Sequence, residues 1–318
     1  MKILVTGCCG FIGSHLTERL IDLGHEVVGI DCLSDYYNVE LKKLNQRTIE
    51  AKGVKVFNED LVTADLSQIM NGVQIVFHLA AQPGISATTP FESYLSNNIL
   101  ATQNLLSYCK DDLTLFVNVA TSSVYGKDAT KSEDVAPEPA SYYGVTKLAA
   151  EQLVLAKGRD SDFSACSLRL YSVFGPRERP DKMYSRLIYT MLTKQKFPLY
   201  EGSKSHVRSF TYISDIIDGM IAVMNQPQKV RGEIFNLGTE QTNTTGEAIA
   251  ACERILGYEA EFELKEKRPG DQLRTHAKID KAREILGYSP KVSLEEGIEE
   301  TIGWFKNEIN LQLDEINH

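Results

Sequence analysis

"ILVTGCCGFIGSHL", residues 3–16, sets Gly7, Gly10 and Gly13 at steps of three between an apolar run and a segment with helically spaced leucines. A strand, a glycine-rich turn and a helix in succession make an anion site. The helix start offers unpaired N–H groups and a partial positive charge, and glycine lets a pyrophosphate approach the backbone. The spacing here, G-x-x-G-x-x-G, is looser than the G-x-G-x-x-G dinucleotide fingerprint. A tight strand–helix turn without a ligand is the alternative.

The next apolar run, "EVVGID" (26–31), ends in Asp31, 18 residues after Gly13. An acidic side chain there accepts hydrogen bonds from the adenine-side ribose hydroxyls and repels a 2′-phosphate, which favours NAD over NADP. Asp31 capping the following turn is the plainer reading. "NEDL" (58–61) closes a further run with Asp60 and Leu61, a carboxylate and an apolar side chain able to bracket an adenine. Together these make a bound dinucleotide the leading reading.

Outward from that stretch, "VKVFNED" (54–60), "VQIVFHLA" (73–80) and "TLFVNVATS" (114–122) are continuously apolar and β-branched rather than alternating. Strands buried on both faces read this way, so a parallel sheet covered by helices is expected. "SHLTERLIDLG" (14–24) predicts a helix whose apolar positions include Leu16, Leu20 and Leu23, closed by Gly24. "NNILATQNLLSYCK" (97–110) and "YYGVTKLAAEQLVLAKG" (142–158) predict two more. Past about residue 168 the alternation breaks down. "FGPRERPDK" (174–182) reads as a charged loop, and "FPLYEGSKSHVRSFTYIS" (197–214) as short strands around a turn. "GEIFNLG" (232–238) is one more buried strand, and "TGEAIAACERILGY" and "LEEGIEETIGWFKNEI" are helical. The expected division is a nucleotide-binding domain over 1–167, completed by about 210–237, with a smaller lobe over 168–209 and 238–318.

Composition narrows the setting. The chain has 318 residues, is 42% hydrophobic and carries a net charge of −9, with no concentrated basic block. Nucleic acid and anionic membrane are therefore poor partners, and any anionic ligand needs local arginines and backbone N–H groups. Six cysteines show neither zinc-finger spacing nor disulfide-scaffold density, so reduced thiols are expected. With no leader-like amino terminus and no apolar run near the ~20 residues a spanning helix needs, a soluble, cytoplasmic protein is expected. No metal site is expected.

"SYYGVTK" (141–147) supplies a candidate base. Tyr143 and Lys147 stand four residues apart, one helical turn on the same face. A phenol is a poor base near neutral pH, and an adjacent ammonium favours its ionised form. "ATSSVYG" (120–126) ends a predicted strand at the sheet's carboxyl edge, where Thr121 shares a substrate oxygen with Tyr143. Ser122 and Ser123 follow, with polar turn chemistry as their plainer role.

In order, "TGCCGFIG", "HLAAQ", "ATSSVYG", "YYGVTK", "FGPRERPD", "RSFTYISD" and "RPGD" resemble the extended short-chain dehydrogenase/reductase superfamily, in particular its nucleotide-sugar 4-epimerases. The resemblance implies a Rossmann-type doubly wound parallel sheet with a smaller mixed α/β substrate lobe. It also implies tightly held NAD, a UDP-sugar substrate and a homodimer through paired helices. It assigns Gly7, Gly10, Phe11, Ile12 and Gly13 to the pyrophosphate, Asp31 to the ribose, and Asp60 and Leu61 to the adenine. Ala80, Ala81 and Gln82 fall at the strand end beside the cofactor, and Asn98 is the asparagine buried near the active site. Thr121, Tyr143 and Lys147 are the implied catalytic set. Ser86, Ser122, Ser123, Ser172, Arg179, Arg208, Arg268 and Asp271 are implied substrate contacts, with Arg208 and Arg268 on the diphosphate.

The implied chemistry is reversible oxidation at the sugar C4, through a transient 4-keto sugar. Relatives that eliminate water or carbon dioxide carry acidic residues just after the catalytic threonine. Ser122 and Ser123 stand there instead, which disfavours a dehydratase. A nucleotide-sugar 4,6-dehydratase or a 4-keto-sugar reductase of the same superfamily is the alternative, with a non-catalytic NAD-binding regulator behind them. "FGPRERPDK" and Ser172 resemble UDP-glucuronate 4-epimerases, whereas Ser86 stands where many of those have arginine. Thr275 replaces a bulky residue and leaves room for an N-acetyl group, so UDP-glucuronate and UDP-N-acetylglucosamine both stay open. Ser209 and Lys278 stand where aspartate is usual.

Overall fold

"KILVT" forms strand β1 (Lys2–Thr6) because its side chains are buried on both faces, and the remaining runs of that kind line up beside it. The computed structural model of the chain describes residues 1–86, 88–266 and 274–309. The strands β2 (Glu26–Ile30), β3 (Lys55–Phe57), β4 (Ile75–His78), β5 (Leu115–Thr121), β6 (Ser164–Leu170) and β7 (Ile234–Leu237) complete one sheet with β1. Its order is β7-β6-β5-β4-β1-β2-β3, and every neighbouring pair is parallel. This is the expected Rossmann-type α/β sheet. The strand order reverses between β1 and β4, and ligands of such sheets bind outside the carboxyl ends at that point.

Helices α1 (Phe11–Asp22), α2 (Val39–Ala51), α3 (Ala101–Ser107) and α4 (Tyr142–Arg159) connect the first six strands. In α1, Leu16 and Leu20 are fully buried, whereas Leu23 is 41% exposed. Leu23 is the C-cap, past the last helical turn. Helix α2 has no counterpart in the sequence reading, because its buried stripe is Lys42, Asn45 and Ile49 and reads as polar. Entering α3, the chain passes through a π-helical turn at Leu95–Leu100, a wide turn of the kind that often accompanies functional positions.

Beyond β6 come α5 (Met183–Leu192), α6 (Ile213–Met224), α7 (Thr245–Leu256), α8 (Asp280–Leu286) and α9 (Leu294–Trp304). Helix α6 packs with the sheet's core, as do Ala277, Ile279, Ala282, Leu286 and Tyr288, so the chain returns to the sheet twice after β6. A separate apolar cluster joins α5, α7 and α9 through Leu187, Ile188, Ile249, Ile298 and Ile302. Capping boxes at Thr244–Glu247 and Ser293–Glu296 fix the starts of α7 and α9. The short strands of the second half pair over long range. Phe197–Tyr200 runs beside Phe262–Lys265, Val207–Arg208 beside Asn243–Thr244, and Thr211–Tyr212 beside Val173–Phe174. Among the described residues no helix is long and apolar enough to cross a membrane.

Candidate active site

The carboxyl ends of β1, β2, β4, β5 and β6 open into one cleft of about 580 Å³, a size suited to small-molecule ligands. Gly7, Gly10, Phe11, Ile12 and Gly13 line it from β1, Asp31 from β2, and Asp60 and Leu61 from beyond β3. Ala80, Ala81 and Gln82 line it from β4, and Thr121, Ser122 and Ser123 from β5. Ser172, Arg179, Tyr143 and Lys147 complete the set of expected residues on the cleft wall.

Two of the loop glycines are required by the chain itself. Gly7 has φ +69°, and a Cβ on it would lie 2.9 Å from the Ala80 nitrogen. A Cβ on Gly13 would lie 2.1 Å from the Gly7 carbonyl oxygen. Gly10 is the N-cap of α1, makes no side-chain cap, and no acidic residue follows in the first turn. The first N–H groups of α1 therefore point at the cleft without an acceptor inside the helix, which suits a pyrophosphate.

Asp31 does both things the sequence offered. Its Oδ2 accepts the Cys9 N–H at 3.0 Å and its Oδ1 the Leu33 N–H at 2.9 Å, which fixes the turn. Each oxygen keeps a second lone pair for a ribose hydroxyl. Burial raises the Asp31 pKa, opposed by those two N–H groups and by the Lys42 ammonium. Lys42 was not anticipated. It lines the cleft, donates to the Ser34 carbonyl at 2.5 Å and hydroxyl at 2.8 Å, and lies 4.6 Å over the Tyr37 ring. The residues present thus fit a dinucleotide: an uncapped helix start, a carboxylate with free lone pairs and an apolar wall at Leu61.

Helix α4 brings the reactive pair to the cleft. Ser141 caps it by accepting the Gly144 N–H at 3.1 Å, a contact worth about 1 kcal/mol. Gly144 presses the helix against the turn after β5: a Cβ there would lie 2.7 Å from the Ser123 carbonyl oxygen. That close approach sets Tyr143 against Thr121. Burial raises the phenol's pKa, while a hydrogen bond with Thr121, the Arg179 guanidinium and a Gly84 backbone group pull it back. The sequence reading gave that cationic role to Lys147. In the structure the Arg179 guanidinium also pulls the phenol's pKa down, and burial pushes the Lys147 ammonium itself down to about 8, with Glu151 opposing. Thr121 Oγ1 also donates to Ser123 Oγ at 3.2 Å and accepts the Ser123 N–H at 3.1 Å.

Several expected contacts lie elsewhere. Asn98 is buried and does not line the cleft; its amide accepts the Gln82 N–H at 2.8 Å and donates to Thr146 at 2.9 Å. These bonds tie the β4 end to α4, one residue before Lys147. Ser86 spends its hydroxyl on its own turn, accepting the N–H groups of Thr88 and Thr89. Arg208 is not among the cleft-lining residues; it sits on the short strand paired with Asn243–Thr244 and donates to the Val207 carbonyl at 3.1 Å. Arg268 and Asp271 lie outside the described residues. Thr275 does line the cleft. All six cysteines are free thiols.

Arg179 is held by Asp181 through two hydrogen bonds, 3.0 Å and 2.9 Å, and stacks 5.1 Å over the Tyr36 ring. Its loop is anchored from below. Arg177 adopts φ +69° and meets Glu18 of α1 at 2.5 Å, and His15 binds the Pro176 carbonyl at 2.9 Å. Burial pushes the His15 pKa down to about 4, so its ring is neutral and donates that bond.

Residues 3–238 match the NAD-dependent epimerase/dehydratase family. A Bacillus subtilis (strain 168) protein named uncharacterized UDP-glucose epimerase YtcB is 38% identical over 96% of this chain and 98% of its own length. UDP-glucuronate 4-epimerase 2 of Arabidopsis thaliana is 32% identical over 96% of this chain and 76% of its own. Among solved structures, UDP-glucuronic acid 4-epimerase of Bacillus cereus in complex with UDP-glucuronic acid and NAD superposes with a TM-score of 0.90. It is 38% identical and is covered over 99% of its length, against 96% of this chain.

Proposed function

The chain belongs to the NAD-dependent epimerase/dehydratase family, and from that premise we propose that it is an NAD-dependent UDP-sugar 4-epimerase acting on a UDP-uronate of the glucuronate type. The observation that carries the reading is Tyr143 set between Thr121 and the Arg179 guanidinium on the wall of the dinucleotide cleft.

When bound, NAD would supply the reversible two-electron acceptor for the sugar C4. Gly10 and the start of α1 would hold its pyrophosphate, Asp31 and Lys42 its ribose, and Asp60 and Leu61 its adenine. Tyr143 takes the proton of the C4 hydroxyl and later returns it, while Thr121 keeps that oxygen oriented. Lys147, one turn along α4, holds positive charge near the phenol. The ketone formed at C4 turns within the cleft and is reduced on its other face. Ser122 and Ser123 offer hydroxyls and no carboxyl for elimination, which argues against a dehydratase.

Arg179 favours a uronate. A guanidinium beside the reacting phenol, with the Ser172, Ser122 and Ser123 hydroxyls on the same cleft wall, suits a carboxylate at C5. UDP-N-acetylglucosamine is the second reading, favoured by the small Thr275 on the cleft wall.

The sheet with α1–α4 and α6 forms the NAD-binding domain. The α5, α7 and α9 cluster forms the substrate lobe. A homodimer fits the apolar surface on the helical segments flanking the cleft, where Leu100 and Val145 are each 45% exposed. The cytoplasm, where thiols stay reduced, is the compartment this reading implies.

Incubation with UDP-glucuronate, UDP-N-acetylglucosamine and UDP-glucose without added cofactor, followed by proton NMR, tests the reading. The expected result is a C4 epimer from UDP-glucuronate, lost by 10²–10⁴-fold or so in Tyr143→Phe with NAD content unchanged. Loss of water, or turnover of a 4-keto sugar with added NADH alone, would replace it with a dehydratase or a reductase.

A further inference from the structure

Glu178 is a buried acid on the cleft wall that the proposed reaction does not use. It is 7% exposed, lines the cleft beside Arg179, and has no ion pair among the described residues. Its hydrogen-bond partner there is Ser185 of α5, whose hydroxyl lies 3.4 Å from Oε2 and donates to the Glu178 carbonyl at 3.1 Å. The neighbouring Tyr184 hydroxyl is also on the cleft side of α5, is buried, and has no partner. An unpartnered phenol and a buried carboxyl without a counter-ion on one wall cost folding free energy, and the backbone leading into them is strained at Arg177. Such costs are expected where a ligand completes the set.

We propose that Glu178 binds substrate as a neutral carboxylic acid, donating a hydrogen bond to an anionic oxygen of the UDP-sugar. This rests on the reading of the cleft as a UDP-sugar site. An ionised carboxylate would repel that oxygen, and a neutral acid donates to it as an amide would. The charged and titratable groups around Glu178 are Arg179, Asp181 and Lys182 on its own loop and Tyr184 on α5. Burial pushes the Glu178 pKa up to about 8, with Lys182 and Ser185 opposing and Asp181 adding to the rise. The anionic oxygen belongs either to the diphosphate or to a sugar carboxylate, and three ligands separate the two.

Calorimetric titration of the NAD-loaded protein with UDP, UDP-glucose and UDP-glucuronate between pH 7 and pH 9 tests this. Only about a tenth of a group titrating near 8 stays protonated at pH 9, so wild-type affinity is expected to fall about tenfold across that range. A fall for all three ligands assigns the diphosphate, and a fall for UDP-glucuronate alone assigns the sugar carboxylate. In Glu178→Gln the extra fall disappears. Changes common to both proteins, such as that of Lys147, cancel in the comparison. Equal pH profiles in the two proteins overturn the proposal. Should the variant not fold, Lys147→Met is titrated in two buffers of different ionisation heat, which removes the other group near 8: proton uptake on binding at pH 8.5 is expected, and none overturns the proposal. Ligand binding with this pH dependence but no epimerisation would instead overturn the functional reading and leave Glu178 its role.

Discussion

Glu151 binds Arg169 through both carboxylate oxygens, at 2.7 and 3.0 Å, one helical turn beyond Lys147 and wholly out of solvent. Ser167 adds a third hydrogen bond to Glu151 at 3.0 Å, and Arg169 continues to Tyr125 at 2.9 Å and so to Asn236 at 2.8 Å. The pair bolts α4 to β6 and β7, and the Glu151 carboxylate opposes the loss of charge that burial imposes on Lys147. Replacing Glu151 with Gln leaves a buried guanidinium uncompensated and is expected to cost about 3–5 kcal/mol. Chemical denaturation would show it. A Glu151→Leu, Arg169→Met double variant should recover most of the loss.

Lys147 carries a cost that depends on pH. Burial lowers its pKa from 10.5 to about 8, so between those values the unfolded chain binds a proton that the folded chain has released. Stability contributed by this group therefore rises with pH across that window, and below pH 8 the full penalty of about 3 kcal/mol applies. In the cofactor-free protein, Lys147→Met should be more stable than wild type at pH 7, with the gap closing towards pH 10. Denaturation midpoints of both proteins across that range check it, and a constant gap would refute it.

Asp31 combines a turn with a selectivity element. In Asp31→Asn one oxygen remains to accept a backbone N–H, so the fold should hold. Affinity for NAD should fall by about tenfold, and the preference over NADP should narrow, since the negative charge facing a 2′-phosphate is gone. Fluorescence titration with the two dinucleotides measures both effects. An unchanged preference would move the selectivity to Lys42 and its neighbours.

Arg179→Ser should separate substrates rather than abolish chemistry. KM for UDP-glucuronate is expected to rise at least about tenfold, while UDP-glucose changes little, the loss of one charge-assisted pair being about 1.5–3 kcal/mol. Steady-state assays with the two sugars decide. A uniform loss of kcat on both would assign Arg179 to the phenol instead.

The sheet was legible because strands covered on both faces leave an unbroken apolar run, as at "VQIVFHLA" and "GEIFNLG". Helix α2 was not, since two of its three buried residues are polar: Lys42 faces the cleft and Asn45 donates to the Cys9 carbonyl, which leaves Ile49 alone for the core. Nor were the partners of the short strands after residue 197, because pairing Phe197–Tyr200 with Phe262–Lys265 is a long-range choice with no local signature. In the cleft, residue type and spacing located Tyr143, Thr121 and Asp31. They could not foresee that Ser86 closes its own turn or that Asn98 binds backbone and Thr146. Glu178 passed as one charge in a charged loop, and only its burial distinguishes it.

The three glycines of the first turn differ in what they answer to. Gly7 and Gly13 are held by contacts with Ala80 and with each other, whereas a Cβ on Gly10 would meet only the Gly7 carbonyl, at 3.2 Å. A descendant of this enzyme that abandoned its dinucleotide would still need the outer two to fold, and could let the middle one drift. The spacing that looks like a mark of nucleotide use is, at two of its three positions, an heirloom of how the first strand turns into the first helix.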